Sequence, residues 1–298
     1  MIELRNVKKS FKNFTAVSNL SFKLRDGEIV SLIGQNGAGK STTFHMLLDF
    51  LQPDEGQIIW DGNRMDWRKR TEIGYMPEER GLYPKESIKK QVMYFAALHG
   101  MNRNEAEDKL MWWMKKLNVI GKPSDKIESL SKGNAQKVQL ISCLMFKPKL
   151  LILDEPFSGL DPVNSELLID AILRSKRKGT MIIFSTHNMV NVERLSDYVV
   201  MLSHGNTVLQ GTVDDIYKHF GRLSLEIEGF SEVSKLKKCP GIKTLTQVDE
   251  GHIHIGLENE VAGRAIFDKI VREGYVPVFN QHYSSLEEIF KYEVEVNK

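Results

Sequence analysis

Cysteine is scarce in this sequence of 298 residues, which contains two, Cys143 and Cys239. Their separation gives neither a paired disulfide framework nor the close spacing of a metal-ligand motif. A chain of this length can bury a sizeable core without cross-links. The cysteine content therefore indicates a reducing compartment and argues against the disulfide-stapled class of small secreted proteins.

Long apolar runs are also missing. The most apolar stretch, 138–153, is interrupted by Lys147, Pro148 and Lys149 well before the roughly 18 apolar residues that a membrane-spanning helix requires. The first residues, MIELRNVKKSF, alternate like a strand and contain no apolar signal core. We therefore expect a soluble or peripheral protein that works in the cytoplasm.

Neither sign of charge dominates, because 41 Lys and Arg residues are balanced by 39 Asp and Glu residues, which leaves a net charge of +2. This balance provides no global electrostatic field that would attract a polyanion. We therefore expect no nucleic-acid partner.

The pattern of apolar and polar residues changes clearly along the chain. Strand-like runs at 2–7, 20–24 and 28–33 open it, a helical pattern follows, and short apolar strands then alternate with helices, which is typical of a parallel sheet. From residue 221 onward, strands and helices alternate at a different spacing, with the first helix of this part predicted over 231–238. We predict an α/β domain over 1–220, with a β-rich N-terminal subdomain and a helical insert at about 85–135, followed by a small α+β domain over 221–298.

A glycine-rich segment, GQNGAGKS at 34–41, follows an apolar strand and opens a helix. In this segment a glycine, four further residues and a second glycine precede Lys-Ser, which matches the phosphate-loop pattern. The position of Lys-Ser directly after the second glycine argues against a merely flexible loop. The glycines let backbone N–H groups point at phosphate oxygens, and the helix N-terminus adds partial positive charge. We predict that Lys40 reaches the β- and γ-phosphates of ATP and that Ser41 offers its hydroxyl to Mg²⁺.

Two adjacent carboxylates, Asp154 and Glu155, follow the apolar strand at 150–153. Ligands bind at the carboxyl ends of parallel strands, so both side chains are expected beside the phosphate loop. We predict that Asp154 holds Mg²⁺ and that Glu155 polarises the water that attacks the γ-phosphate. Ordinary strand-end charges are the alternative interpretation of an isolated Asp-Glu pair.

The segment Leu130-Ser131-Lys132-Gly133-Asn134 resembles the signature sequence of ABC-type ATPases. Over residues 1 to about 215 the motif order is also similar to that family, running from the phosphate loop through the insert and signature to Asp154-Glu155, Ser158-Gly159-Leu160-Asp161 and His187. The resemblance implies a phosphate-loop ABC ATPase that acts as a head-to-tail dimer, in which Ser131 and Gly133 of one subunit contact ATP on the other. A helix-capping role is the simpler alternative for Ser131.

The same resemblance implies roles for three further residues. His187 would contact the γ-phosphate in catalysis, Asp161 would connect the two active sites across the dimer, and Phe11 would stack on adenine. A structural hydrogen-bonding role for His187 and a core position for Phe11 remain open. The expected ATP contacts are Phe11, Gly34, Gln35, Asn36, Gly37, Ala38, Gly39, Lys40, Ser41 and Thr42.

Three positions depart from the commoner family pattern. Lys132 and Asn134 replace a glycine and a glutamine of the signature, and Glu78 stands where glutamine is usual. By the resemblance, Glu78 joins Ser41 and Asp154 as a metal contact. These variants and the trailing domain resemble a subgroup of ABC-2 type exporters that includes sodium-extruding and drug or peptide efflux systems.

The resemblance also implies the partners of this chain. These are ATP with Mg²⁺, a second ATPase subunit that is either a second copy or a relative, and two membrane-spanning permease subunits. The chain would then lie at the cytoplasmic face of the cell membrane as a peripheral subunit.

Two other functions compete with that of a transporter motor. A soluble ABC ATPase of translation or DNA maintenance is disfavoured, because the chain has one phosphate loop and no sustained heptads that would indicate long coiled coils. A small-molecule kinase would leave the segment 130–134 and Asp161 without a role. Hydrolysis of MgATP coupled to transport is therefore the favoured interpretation.

Overall fold

The computed structural model describes residues 1–79, 81–230, 232–237, 239–249 and 251–296. The chain divides into two compact units, Met1–Gln210 and Gly211–Lys298. The boundary predicted from the sequence lies slightly later, between residues 220 and 221. Within the described residues, no helix has both the length and the apolar character needed to cross a membrane.

The larger unit is built on one extended sheet with helices packed against it. The strands of this sheet are β1 (Ile2–Phe11), β2 (Phe14–Leu24), β3 (Ile29–Gly34), β4 (Glu55–Trp60), β5 (Asn63–Arg64), β6 (Ile73–Met76), β7 (Leu150–Leu153), β8 (Met181–Ser185), β9 (Tyr198–Ser203) and β10 (Asn206–Gly211). The helices are α1 (Lys40–Leu47), α2 (Ile88–Leu98), α3 (Arg103–Lys116), α4 (Lys132–Leu144), α5 (Pro162–Lys176) and α6 (Met189–Leu195).

The sheet has an antiparallel and a parallel part. Its strand order is β5-β4-β1-β2-β10-β9-β3-β8-β7-β6. Strands β1, β2, β4 and β5 pair antiparallel, whereas β9, β3, β8, β7 and β6 run parallel. This arrangement confirms the predicted β-rich N-terminal part and the parallel-sheet core.

The central parallel strands are apolar because both of their faces are covered. Every residue of β3, β7 and β8 is buried, as expected for strands enclosed between helices. Because neighbouring parallel strands end at the same edge of a sheet, the segments that follow β3, β7 and β8 lie together. This edge carries the phosphate loop and the two carboxylates.

Helices α2 and α3 fall within the predicted insert. Each begins at a capping side chain, since Ser87 accepts from the backbone N–H of Lys90 and Asn102 accepts from that of Asn104. The buried faces of both helices join one hydrophobic core with α4 and the parallel strands. The insert therefore packs continuously with the domain that carries it.

The smaller unit is an antiparallel sheet packed with helices, which confirms the predicted small α+β domain. Its strand order is β12-β13-β11-β14. Its elements are α7 (Val213–Phe220), β11 (Ser224–Glu228), α8 (Val233–Leu236), β12 (Ile242–Asp249), β13 (His252–Leu257), α9 (Glu260–Ile270), β14 (Val278–His282) and α10 (Leu286–Val296). The helix predicted over 231–238 is observed as α8, and its predicted end positions, 231 and 238, lie outside the described residues.

Candidate functional site

The phosphate loop connects β3 to α1, in the strand-to-helix context that the motif requires. Gly34, Gly37 and Gly39 all have positive φ angles, of 156°, 81° and 107°. A Cβ atom on Gly39 would lie 2.3 Å from the carbonyl oxygen of Ala16, whereas one on Gly37 would meet no atom within 4 Å. Position 39 therefore requires glycine, both because of its backbone conformation and because β2 approaches it closely.

The Lys40 ammonium lies over the loop from which it emerges. Its Nζ donates to the carbonyl oxygens of Gly34 at 2.8 Å and Gln35 at 3.1 Å. Burial lowers the pKa of Lys40, and the negative charges of Glu155, Asp154 and Glu78 oppose that shift. The lysine is thus a partly desolvated cation that faces three carboxylates, and phosphate oxygens can replace the two carbonyl acceptors.

Asp154 is buried at the end of β7 and is held by hydroxyl groups from two other elements. Ser41, at the start of α1, donates to Oδ2 at 3.3 Å, and Ser185, at the end of β8, donates to Oδ1 at 2.5 Å. The Ser185 hydroxyl also accepts the backbone N–H of Glu155 at 3.0 Å. Ser185 therefore orients both acidic residues from the neighbouring strand.

Glu155 has a strained backbone and a paired side chain. Its φ angle is +48°, which places a non-glycine residue in the left-handed region. Its carboxylate Oε2 lies 3.0 Å from Nδ1 of His187, and the side chain of His187 is 76% exposed while that of Glu155 is 11% exposed. The carboxylate is therefore recessed, with the imidazole at the open side of the site.

A cleft of about 440 Å³ unites these groups. We call it the nucleotide cleft, and its lining residues are Phe14, Ala16, Asn36, Gly37, Gly39, Lys40, Ser41, Thr42, Glu78, Asp154, Glu155 and His187. The structure thus brings together the phosphate loop, both predicted carboxylates, Glu78 and His187. Gly34, Gln35 and Ala38 belong to the same loop but do not line the cleft.

The cleft contains an aromatic side chain that the sequence did not single out. Phe14 lines it, whereas Phe11 lies opposite Phe14 across the β1–β2 hairpin and does not. The Phe11 ring is 43% exposed and has Lys9 Nζ 5.7 Å from its centroid, so it is not a core residue. Phe14 is therefore an aromatic side chain of the cleft itself, and the stacking of Phe11 on adenine stays a prediction.

The signature segment lies elsewhere in the same unit. Ser131 caps α4 by accepting from the backbone N–H of Asn134 at 3.3 Å, and Asp161 caps α5 by accepting from that of Asn164 at 2.9 Å. A Cβ on Gly133 would lie 3.3 Å from Asn164 Nδ2, so the two helix starts are neighbours. Ser131, Gly133 and Asp161 thus cluster together, but none of them lines the nucleotide cleft of its own chain.

The oxygen atoms of the cleft suit a hard cation. Ser41 and Asp154 are in direct contact, and Glu78 lines the same space. Among the described residues, no three His, Cys, Asp or Glu side chains converge into a preformed metal cage. Mg²⁺ is commonly bound through one or two carboxylates together with substrate phosphates, so this donor set fits Mg²⁺ that arrives with a nucleotide.

Comparison with protein families gives two adjacent matches. A family model described as ABC transporter matches residues 17–158. A model described as the C-terminal domain of ATP-binding protein DrrA1-3-like matches residues 211–294. The two matches fall on the two compact units of the structure.

Individual relatives match along most of the chain. An uncharacterized ABC transporter ATP-binding protein, YhaQ of Bacillus subtilis, is 39% identical over 97% of this chain and 97% of its own length. Another from Alkalihalophilus pseudofirmus is 42% identical over 87% of this chain and 97% of its own length. A solved structure described as the ATP binding subunit of an ABC transporter superposes with a TM-score of 0.69 at 32% identity, covering 74% of this chain and 93% of that one.

Proposed function

This chain belongs to the ABC transporter ATP-binding proteins, and from that premise we propose that it hydrolyses MgATP to drive export through separate membrane-spanning subunits. One observation carries the proposal. The phosphate loop and the pair Asp154 and Glu155 lie at the carboxyl ends of neighbouring parallel strands and line a single cleft. This arrangement supports a mechanism in which phosphate binding and activation of a water molecule occur within reach of each other.

The loop residues bind the phosphates in this mechanism. Backbone N–H groups of residues 36–41 and the N-terminus of α1 would face the β- and γ-phosphates. Lys40 exchanges its contacts with Gly34 and Gln35 for phosphate oxygens. Mg²⁺ held by Ser41, Asp154 and Glu78 would neutralise charge on the β- and γ-phosphates.

Glu155 is the proposed general base. Its recessed carboxylate accepts a proton from the attacking water, while the Ser185 hydroxyl holds the backbone N–H of Glu155 in place. His187, 3.0 Å from Glu155, is positioned to donate to the same carboxylate or to the γ-phosphate. Phe14, with Phe11 on the opposite strand, supplies the aromatic surface for adenine.

A second ATPase subunit is proposed to complete the site. Ser131, Gly133 and Asp161 form a cluster that is separate from the nucleotide cleft of their own chain. In a head-to-tail dimer, Ser131 and Gly133 would meet ATP on the other subunit, and Asp161 would connect the two clefts. Closing and reopening of this dimer would move the insert, and with it two permease subunits at the cytoplasmic face of the membrane.

The test combines an activity assay with identification of the partner. We expect Mg²⁺-dependent ATPase activity from the purified chain, loss of nucleotide binding in Lys40→Ala, and no change in Lys115→Ala, which removes an exposed lysine of α3. Capture of the native chain from gently solubilised membranes should bring a membrane-spanning subunit with it. ATP hydrolysis without any such subunit, but with ribosomes or DNA-repair proteins, would instead support a soluble ABC ATPase.

A further inference from the structure

A second groove lies at the opposite edge of the sheet from the nucleotide cleft. Pro148 and Thr180, which line it, lie just before β7 and β8, whereas Asp154 and Ser185 lie at the other ends of these strands. The strands contain four and five residues, so about 13–17 Å separates the two edges. A ligand in this groove would not touch the phosphate loop.

The groove is strongly basic. Its charged lining residues are Lys109, Lys147, Lys149, Arg174 and Lys178. Two of them form ion pairs, with Glu105 and Glu72. In the part of the chain that the structure describes, no carboxylate lies within ion-pair distance of Lys147, Arg174 or Lys178. Glu105 acts on Lys147 at longer range, and the nearby C-termini of α4 and α5 together contribute about one negative charge. The groove still keeps an excess of positive charge at Arg174 and Lys178.

The remaining surface of the groove is largely apolar and aromatic. Trp112 and Trp113 line it with ring centroids 4.8 Å apart in an edge-to-face arrangement. The Arg174 guanidinium lies over Trp112, 4.9 Å from the ring centroid, and such stacking leaves its N–H groups directed outward in their plane. Nε of Arg174 is buried and has no hydrogen-bond partner among the described residues, so no acceptor of the protein compensates its desolvation.

We propose that this groove binds a small organic anion, in which a phosphate, sulfonate or carboxylate group is attached to a flat apolar body. The apolar body would pack on Trp112, and the anionic group would bind Arg174 with Lys147 and Lys178. The volume of about 410 Å³ falls within the range of small-molecule sites, about 300–1,000 Å³.

The test uses naphthalene-2-sulfonate as a soluble anionic probe and 2-naphthol as its neutral counterpart. Titration calorimetry on the full chain, with the nucleotide cleft saturated by MgADP, should give one-site binding of the sulfonate with a Kd below about 1 mM. The neutral probe should bind at least tenfold more weakly. Binding should also weaken as ionic strength rises, because exposed charges are screened by salt.

Variants then assign the binding to this groove. We expect Arg174→Gln and Lys178→Gln each to weaken sulfonate binding about tenfold, which corresponds to the loss of one charged hydrogen bond. Lys115→Gln, a matched change on α3 that does not line the groove, should leave the Kd unchanged. Two different positions are tested so that misfolding of one variant cannot decide the outcome.

Two results would overturn the proposal. One is the absence of saturable sulfonate binding, or binding that the variants of Arg174 and Lys178 leave intact. The other is binding only to vesicles of phosphatidylglycerol, and not to those of phosphatidylcholine or to the soluble probe, which would assign the basic residues to an anionic lipid surface. Because MgADP occupies the other site throughout, failure here would not bear on ATP hydrolysis.

Discussion

Ser185 and Asp154 lie at the ends of neighbouring parallel strands, and the Ser185 hydroxyl donates to Asp154 Oδ1 over 2.5 Å while accepting the backbone N–H of Glu155. One buried hydroxyl thus orients the proposed metal ligand and the backbone of the proposed base. Its removal would leave a buried carboxylate oxygen and a backbone N–H without this partner.

We therefore expect Ser185→Ala to lower the free energy of unfolding by about 1–3 kcal/mol and to raise the Mg²⁺ concentration needed for half-maximal ATPase activity. Denaturant unfolding and Mg²⁺ titration of the activity measure the two effects. Ser31→Ala is a matched control, because Ser31 is equally buried on β3 and its hydroxyl has no partner among the described residues. Equal losses in the two variants would contradict the orienting role of Ser185.

Glu155→Gln should retain ATP binding and lower turnover by at least about 10²-fold, the effect typical of losing a general base. With hydrolysis blocked, ATP and Mg²⁺ should convert the chain to a stable dimer. Single-turnover hydrolysis and light scattering measure these outcomes, with Glu79→Gln as the control because Glu79 does not line the cleft. A variant that stays monomeric and hydrolyses ATP at the wild-type rate would show that Glu155 is not the base.

Glu78→Gln should change the pH dependence of ATP affinity through Lys40. Lys40 binds phosphate as a cation, so affinity falls as pH rises through its pKa. Burial lowers that pKa, and the Glu78 charge opposes the shift. Removing this charge should therefore lower the pKa further and move the alkaline loss of affinity to lower pH. Titrations across the alkaline range test this, and superimposable curves for Glu78→Gln and wild type would contradict it, with Glu79→Gln again as the control.

Two alanine substitutions in the phosphate loop should differ sharply in their effect on ATP binding. Gly37→Ala places a Cβ in open space at a φ of 81° and should cost about 1–2 kcal/mol of stability through backbone strain alone. Gly39→Ala adds a contact of 2.3 Å with the Ala16 carbonyl oxygen and should abolish ATP binding. Equilibrium binding and thermal unfolding of both variants test the difference, and equal affinities would show that β2 does not constrain the loop.

The C-terminal unit should be dispensable for nucleotide binding. All residues of the proposed cleft precede residue 190, so a chain that ends at Gly221 should bind ATP with an affinity within about twofold of wild type. Circular dichroism establishes that the truncated chain is folded before its affinity is compared. A large loss of affinity in a folded truncation would assign a nucleotide-binding role to the C-terminal unit.

The parallel strands were predictable because buried strands read as continuous apolar runs, as in 150–153. The first two strands were predicted too short, at 2–7 and 20–24, because backbone irregularities interrupt their alternation. Asn6 and Asn19 have φ angles of 49° and 53°, and the register shifts along this pair. Periodicity of two residues fails where a bulge inserts an extra residue.

The candidate site was predictable where a motif has a fixed offset, as for Lys40, Ser41 and Asp154. It was not predictable where only the folded structure shows which of several similar residues lies at the site. Ser185 reads as part of an apolar strand, and only its register beside β7 places its hydroxyl at Asp154. Likewise, Phe14 could not be singled out from the sequence, because only the structure shows that it lines the cleft whereas its cross-strand partner Phe11 does not.

The antiparallel and parallel parts of the sheet meet where β2 lies beside β10. We call this junction the seam. One register pair, Asn206 with Ser18, and the bond from Ser18 N–H to the Gly205 carbonyl join β10 to β2. Ala16, on the same strand, also restricts Gly39 in the phosphate loop. Coupling between two sites is reciprocal. If the contact between β2 and β10 favours the nucleotide-binding conformation of the phosphate loop, a bound nucleotide must stabilise that contact in turn. The Ser18 amide should then exchange its hydrogen more slowly when ATP is bound, which makes this seam a reporter of nucleotide occupancy.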